Sequence, residues 1–222
     1  MALTLSAGGA DAQDNAVNIG KSSIRLTSDR MTPEALWAMG RIAMAEASPD
    51  GRQIVYQVGY YSVKENRSHQ VICVIGSNGK NNRQLTTDAA SETDPAWING
   101  GRNIAYLYKG QIWMMNPDGT DRMQLTKSAT DIEGFKFSPD GKKVILIKSM
   151  PFNEIIKKNP DDLPKATGRV VTDLMYRHWD HYVESIQHPY VADVTENGIT
   201  GGVDILNGEP FECPMEPFGG ME

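Results

Sequence analysis

Cysteine is scarce in this sequence: Cys73 and Cys213 are the only two in 222 residues. A pair so far apart excludes a disulfide framework. Cys73 lies in the apolar run QVICVIG, which predicts a buried thiol. Nothing in the sequence brings it to Cys213, and the two are expected to stay unpaired. Long apolar runs are also missing. No segment approaches the ~18 consecutive apolar residues of a membrane-spanning helix. Basic clusters are few, with 22 Lys and Arg against 28 Asp and Glu, a formal charge of −6, and the Lys pairs at 142–143 and 157–158 as the densest spots. A generic nucleic-acid or anionic-membrane surface needs clustered positive charge, so both partner classes are excluded. No cofactor motif stands out, and no cofactor is expected.

What remains is an ordinary globular composition, 40% hydrophobic and 23% charged, long enough for one full-sized core or two small ones. Its information lies in repetition. ASPDGRQIVY at 47–56 returns as FSPDGKKVILI at 137–147, and PAWINGGRNIAY at 95–106 aligns with both through Gly51, Gly101 and Gly141. A second motif repeats independently: SNGKNNRQLT at 77–86 matches PDGTDRMQLT at 117–126, 40 residues later. Two motifs sharing one period of about 40 residues mark a repeat architecture.

The chemistry of the motifs gives each a place. In SPDG, Pro presets φ for the first corner of a type I turn, Asp suits the second, and Gly supplies the positive φ that closes a hairpin. Alternating apolar residues follow each turn, as in Gln53–Val58, Asn103–Tyr108 and Lys143–Ile147. A third strand ends in a second glycine turn, and a short fourth closes on Gln-Leu-Thr. Four antiparallel strands in about 40 residues make one β-propeller blade. The fold class is therefore all-β, a partial propeller of three blades at about 41–87, 90–127 and 131–206. Before them, TPEALWAMG predicts a short helix with Thr32 as N-cap, Pro33 at the first position and Gly40 at its end. The NPDGTD stretch lacks the acidic alternation and terminal Glu of a calcium loop and is expected to be a hairpin turn.

The period breaks once. Residues 151–187 are inserted between the second and third strands of blade three, on the face opposite the SPDG turns, and insertions in repeats tend to fall on the working face. Within them Tyr176-Arg177-His178-Trp179-Asp180-His181-Tyr182 is the most unusual local composition of the chain. Arg177 and Asp180 suit an ion pair wrapped in aromatic packing. They equally suit a substrate subsite, with Trp179 as an apolar wall and Arg177 or Asp180 holding a peptide terminus. Metal binding by His178, Asp180 and His181 fits no common ligand spacing.

These SPDG-type blades, the TPEALWAMGRIA lead-in and LMYRHWDHY before HPYVADV resemble the propeller of exported serine peptidases of the prolyl oligopeptidase family. The similarity is to the dipeptidyl peptidase five and acylaminoacyl-peptidase branch of Bacteroides-like bacteria, over about residues 30–222. The resemblance implies a propeller of seven or eight blades capping an α/β-hydrolase domain with a Ser-Asp-His triad. The propeller would admit short peptides, and its insertions would help to hold the substrate N-terminus. That makes Arg177, Trp179 and Asp180 the candidate substrate-binding residues. No G-x-S-x-G nucleophile elbow occurs in the sequence, so it carries no catalytic residue of that mechanism. The expected partners are a peptide substrate and the missing hydrolase domain, with self-association through exposed blade faces. A TolB-like periplasmic binding propeller is the alternative reading. Residues 1–30 read as a leader: ALTLSA followed by Ala10-Asp11-Ala12 has the shape of a signal-peptide tail, and points to an exported, periplasmic or extracellular protein.

Overall fold

The computed structural model describes residues 19–25, 27–151, 156–157, 170–171 and 185–213, the two short pairs by their backbone alone. It opens with the helix α1 (Pro33–Ala38), where Thr32 Oγ1 accepts the Ala35 N–H at 3.2 Å and Pro33 needs no partner for the donor it lacks. Gly40 does not cap this helix. The chain has already turned extended at Met39, with φ −75° and ψ 131°. The glycine is needed for space instead, since a Cβ there would lie 2.9 Å from both the Tyr60 ring and Val58 Cγ1.

Three four-stranded antiparallel sheets follow among the described residues. Blade one is β1 (Arg41–Ala47), β2 (Gln53–Ser62), β3 (Arg67–Gly76) and β4 (Arg83–Gln84). Blade two is β5 (Glu92–Ile98), β6 (Asn103–Tyr108), β7 (Gln111–Met115) and β8 (Met123–Gln124). Blade three has β9 (Ile132–Phe137) and β10 (Lys143–Pro151). After the short pair β11 (Ile156–Lys157) and β12 (Val170–Val171) it ends with β13 (Ser185–Thr195) and β14 (Gly198–Asp204). In every blade the strands lie in chain order across the sheet, the up-and-down meander of a propeller blade.

The repeated sequence motifs are repeated hydrogen-bond devices. In the first turn Ser48 Oγ donates to Asp50 Oδ1 at 2.6 Å and accepts the Gln53 N–H at 3.0 Å, while Asp50 Oδ1 takes the Arg52 N–H. Ser138, Asp140, Lys142 and Lys143 repeat this set at the same lengths. Gly51 and Gly141 both sit at φ +69°, and Gly101, their partner in the alignment, at +87°. Blade two replaces SPDG with a 3-10 turn over Asn99–Gly101. The Gln-Leu-Thr motif ends the outer strand. Thr86 Oγ1 accepts the buried Ile72 N–H and Thr126 Oγ1 the buried Ile112 N–H, both at 2.9 Å. Gln84 and Gln124 each donate to the carbonyl of their own Thr at 2.6 Å. In NPDGTD, Asp118 Oδ1 accepts both the N–H and the hydroxyl of Thr120, so this segment is the expected hairpin turn.

The core lies between blades, as radial packing requires. Val55, Ile72, Val74 and Leu85 of blade one meet Trp97, Ile104, Tyr106 and Met115 of blade two. Ala105, Leu107 and Ile112 of blade two meet Ile132, Val144, Leu146, Tyr190 and Ala192 of blade three. On the other side of blade one, Val58, Val71 and Cys73 are covered by half-buried Tyr56 and Tyr60. Cys73 is buried as its run predicts; burial raises its thiol pKa, and both cysteines are free.

Candidate functional site

A meander divides its connections between two faces. The turns at 48–52, 99–102 and 138–142 share one face. The hairpin tips at 63–66 and 109–110 share the other with the links 85–91 and 125–131 and with everything between β10 and β13. The insertion springs from that second face. Its base is a closed rung of the ladder: Met150 pairs with Ile186 and Pro151 with Ser185, so the chain leaves and returns at adjacent points. Glu133 at the start of β9 fastens this base. One of its oxygens accepts the Ser149 hydroxyl at 2.5 Å and the other the Gln187 amide at 2.6 Å. Just inside, His188 is buried, with Nδ1 2.9 Å from Asp204 Oδ2. Its Nε2 meets no partner among the described residues. The expected site residues Arg177, Trp179 and Asp180 lie outside the described residues, as do His178 and His181. What the structure fixes is the rung from which they are carried.

Two charged clusters that sequence reasoning missed stand at the same face. In the first, Arg122 of blade two reaches across to blade one, where it pairs with Asp88 and donates to the Leu85 carbonyl at 3.0 Å. Its guanidinium also lies 3.7 Å from Glu92, whose side chain is fully buried. Burial, and then the neighbouring Asp88 carboxylate, push the Glu92 pKa up to about 8, and Arg122 only partly offsets this. Asp88 moves the other way, held below its ordinary value by the Glu92 carboxyl and the Arg122 charge. Glu92 is thus a neutral acid at pH 7 wedged beside an ion pair. Its signal in the sequence was only an Arg shortly before each Gln-Leu-Thr, Arg83 directly and Arg122 with Met123 between, and Arg83 in turn donates to the Pro117 carbonyl of blade two at 2.9 Å.

The second cluster surrounds Arg41, at the insertion-face end of the innermost strand of blade one. Its Cζ lies 4.3 Å from the ring centroid of Tyr61 and 5.1 Å from that of Trp37. The two rings are 5.7 Å apart and tilted by 59°. A cavity of about 320 Å³ opens beside them, lined by Trp37, Tyr61, Ser62, Val63, Asn66, Arg67 and Ser68. Trp37 and Arg41 are four residues apart in the sequence, but Tyr61, which completes the cluster, joins only through the pairing of β1 with β2.

A larger cleft, about 920 Å³, lies on the opposite face between blades two and three. Its floor is Ile98, Met114, Leu125, Phe137 and Val194, all part of the core between those blades or packed against it, and its rim is turn residues. The polar groups at that rim, Asn99, Arg102, Ser138, Asp140, Thr195 and Glu196, belong to turns and turn ends of the two blades. Among the described residues no group of His, Cys, Asp or Glu is arranged to hold a metal ion.

No protein-family model matches the chain. Over 195 residues, 86% of its length, it is 40% identical to the dipeptidyl-peptidase 5 of Porphyromonas endodontalis. Over 200 residues, 88% of its length, it is 42% identical to the dipeptidyl-peptidase 5 of Porphyromonas gingivalis. The matched stretches are 28% and 29% of those proteins, so the chain spans less than a third of the length of the curated relatives it matches. Among solved structures, Pyrococcus horikoshii acylaminoacyl peptidase superposes with a TM-score of 0.55 at 9% identity, covering 76% of this chain and 25% of that one. At that identity the likeness is one of fold. The resemblance carried by the SPDG blades and the LMYRHWDHY segment is borne out.

Proposed function

We propose, from the premise that this chain is a homologue of a segment of the dipeptidyl-peptidases 5, that it is the substrate-positioning propeller portion of an exported serine peptidase that releases short N-terminal peptides. The identity of 40 to 42% over most of the chain is the observation that carries this reading. The propeller does no bond-breaking: the sequence has no nucleophile elbow, and hydrolysis belongs to an α/β-hydrolase domain encoded elsewhere in the protein. Its part is to admit short peptides and hold them by the insertion of blade three, with Arg177, Trp179 and Asp180 as the contacting residues.

The geometry of the insertion supports that role. A segment that leaves and rejoins the sheet on one rung, tied down by Glu133, can project far from the blade without disturbing the strands beneath it. Export is supported by the ALTLSA…ADA leader, and among the described residues no helix is long and apolar enough to cross a membrane. The sheet face of blade one turned away from blade two and the exposed Val203, Ile205 and Phe211 of blade three favour association with further apolar surface. Sedimentation of this chain alone should show a concentration-dependent dimer or larger species; a monomer with a sharp thermal transition would remove that part.

The test is kinetic and uses the full-length protein. Replacing Arg177 or Asp180 by Ala should raise KM for short peptides with free N-termini and leave blocked peptides little affected. An unchanged kcat/KM in both variants returns the two residues to a structural clasp. A gene that ends without a downstream G-x-S-x-G segment overturns the peptidase reading altogether.

A further inference from the structure

We propose that the Trp37–Arg41–Tyr61 cluster is a carboxylate-binding subsite, presenting the edge of the Arg41 guanidinium to an acidic group of a bound peptide. The inference takes from the proposed function only the peptide that brings the carboxylate.

Three observations carry it. With Tyr61 at 4.3 Å and Trp37 at 5.1 Å, the guanidinium lies against two rings that lean over it like a half-open book. Cation–π contact stabilises the charge and excludes water from the faces of the group, but it leaves the in-plane N–H donors unused. Among the described residues, Arg41 forms no ion pair, although Glu34 stands in α1 and Glu65 in the next hairpin. The adjoining cavity of about 320 Å³ adds Arg67, also without an ion pair among the described residues, and the hydroxyls of Ser62 and Ser68. The cavity's aromatic wall, its Arg67 guanidinium and its short hydroxyl donors suit a flat anion on a small apolar body, with the Arg41 guanidinium against the same two rings, and a carboxylate matches the fork of an arginine. The cavity lining carries an arginine and no carboxylate, in a chain whose formal charge is −6. It also lies at the insertion-face end of β1 and β2, on the side of the molecule that carries the insertion.

A packing role alone would need the stem and charge of Arg41 but not its fork, and this separates the two accounts. The test titrates the 222-residue chain with four probes, followed by side-chain NMR of the arginines. They are Ala-Ala-Ala, Ala-Ala-Ala-amide, acetyl-Ala-Glu-Ala-amide and inorganic phosphate. The free acid or the glutamate peptide should perturb Arg41 at concentrations where the neutral amide does not. Binding of the free acid alone identifies a C-terminal carboxylate as the ligand, and binding of the glutamate peptide identifies a side-chain one. Arg41→Lys keeps the charge and loses the fork, and should weaken binding roughly tenfold. Arg52→Lys, an exposed cation on the opposite face, should leave it unchanged. Equal binding of the neutral amide, tighter binding of phosphate, or an Arg41→Lys variant that folds and binds as well as the parent chain would overturn the subsite. Loss of carboxylate discrimination while the full-length protein still cleaves peptides removes the subsite alone. Retained discrimination in a protein that cleaves none removes only the peptidase reading.

Discussion

The indole N–H of Trp97 in blade two donates to the main-chain carbonyl of Glu46 in blade one at 3.1 Å, and the Glu46 carboxylate accepts the Trp97 backbone N–H at 3.0 Å. One residue pair therefore stitches two innermost strands together twice, across a junction that has no sheet hydrogen bonds. Glu46→Ala leaves a backbone N–H without its charged acceptor and should cost about 1–3 kcal/mol. Trp97→Phe removes the other bond and leaves part of the buried indole's volume empty, at about 1–3 kcal/mol. Urea unfolding checks both: the midpoint should fall while the slope stays unchanged, because the same surface is exposed.

Glu92 makes stability fall as pH rises. Its folded pKa of about 8 stands above the ordinary 4.5, so the unfolded chain gives up this proton first. The stabilisation is complete below pH 4.5 and is lost as pH climbs to about 8, with a slope of at most about 1.4 kcal/mol per pH unit. Asp88 acts in the opposite sense: its folded pKa lies below 3.8, and its contribution disappears as acid protonates it. Maximum stability of this junction is therefore expected at mildly acidic pH, near 4 to 4.5. Thermal melts from pH 4 to 9 should show the decline, and Glu92→Gln, which mimics the neutral acid, should flatten its alkaline side. A Glu92→Gln profile parallel to the parent's would show that Glu92 is not the group responsible.

The two Gln-Leu-Thr threonines perform one task in two blades. Thr86→Val and Thr126→Val keep the shape of the side chain and strand a buried N–H, of Ile72 in one case and Ile112 in the other. Each should cost about 1–3 kcal/mol. Thr126 also donates to Gln111 Oε1 at 2.9 Å, so its loss should be the larger of the two. Hydrogen exchange at Ile72 and Ile112 gives the local readout.

Gly51 and Gly141 have open space where a Cβ would stand, so only the backbone penalty of a left-handed residue remains. Gly51→Ala and Gly141→Ala should each cost about 1–2 kcal/mol, and Asn should be tolerated better than Ala at both positions. Denaturant titration of the four single variants decides whether the two turns are energetically alike.

The blades were legible because each rests on contacts within a few residues. Ser, Asp and Gly of SPDG bond to one another, and a turn written in four letters can be read from four letters. The alignment of Gly101 with Gly51 and Gly141 held even though blade two spells its turn Asn-Gly-Gly, since what is repeated is a positive φ. The clusters that unite distant residues were not legible. Arg122 finds Asp88 34 positions back only because the link that leaves blade one passes within reach of the outer strand of blade two. Tyr61 finds Arg41 only through the ladder of β1 on β2. Gly40 shows the opposite error: a glycine after a short helix reads as a cap, but its cause is the Tyr60 ring approaching from another strand.

Because Pro151 and Ser185 face each other across a single rung, the ladder of β10 on β13 runs unbroken to the point where the chain between them departs. On the proposed role, exchanging that stretch for another length or composition should give the protein a new preference without rebuilding any strand of the four-stranded sheet, and a swap between two relatives could begin at these two residues.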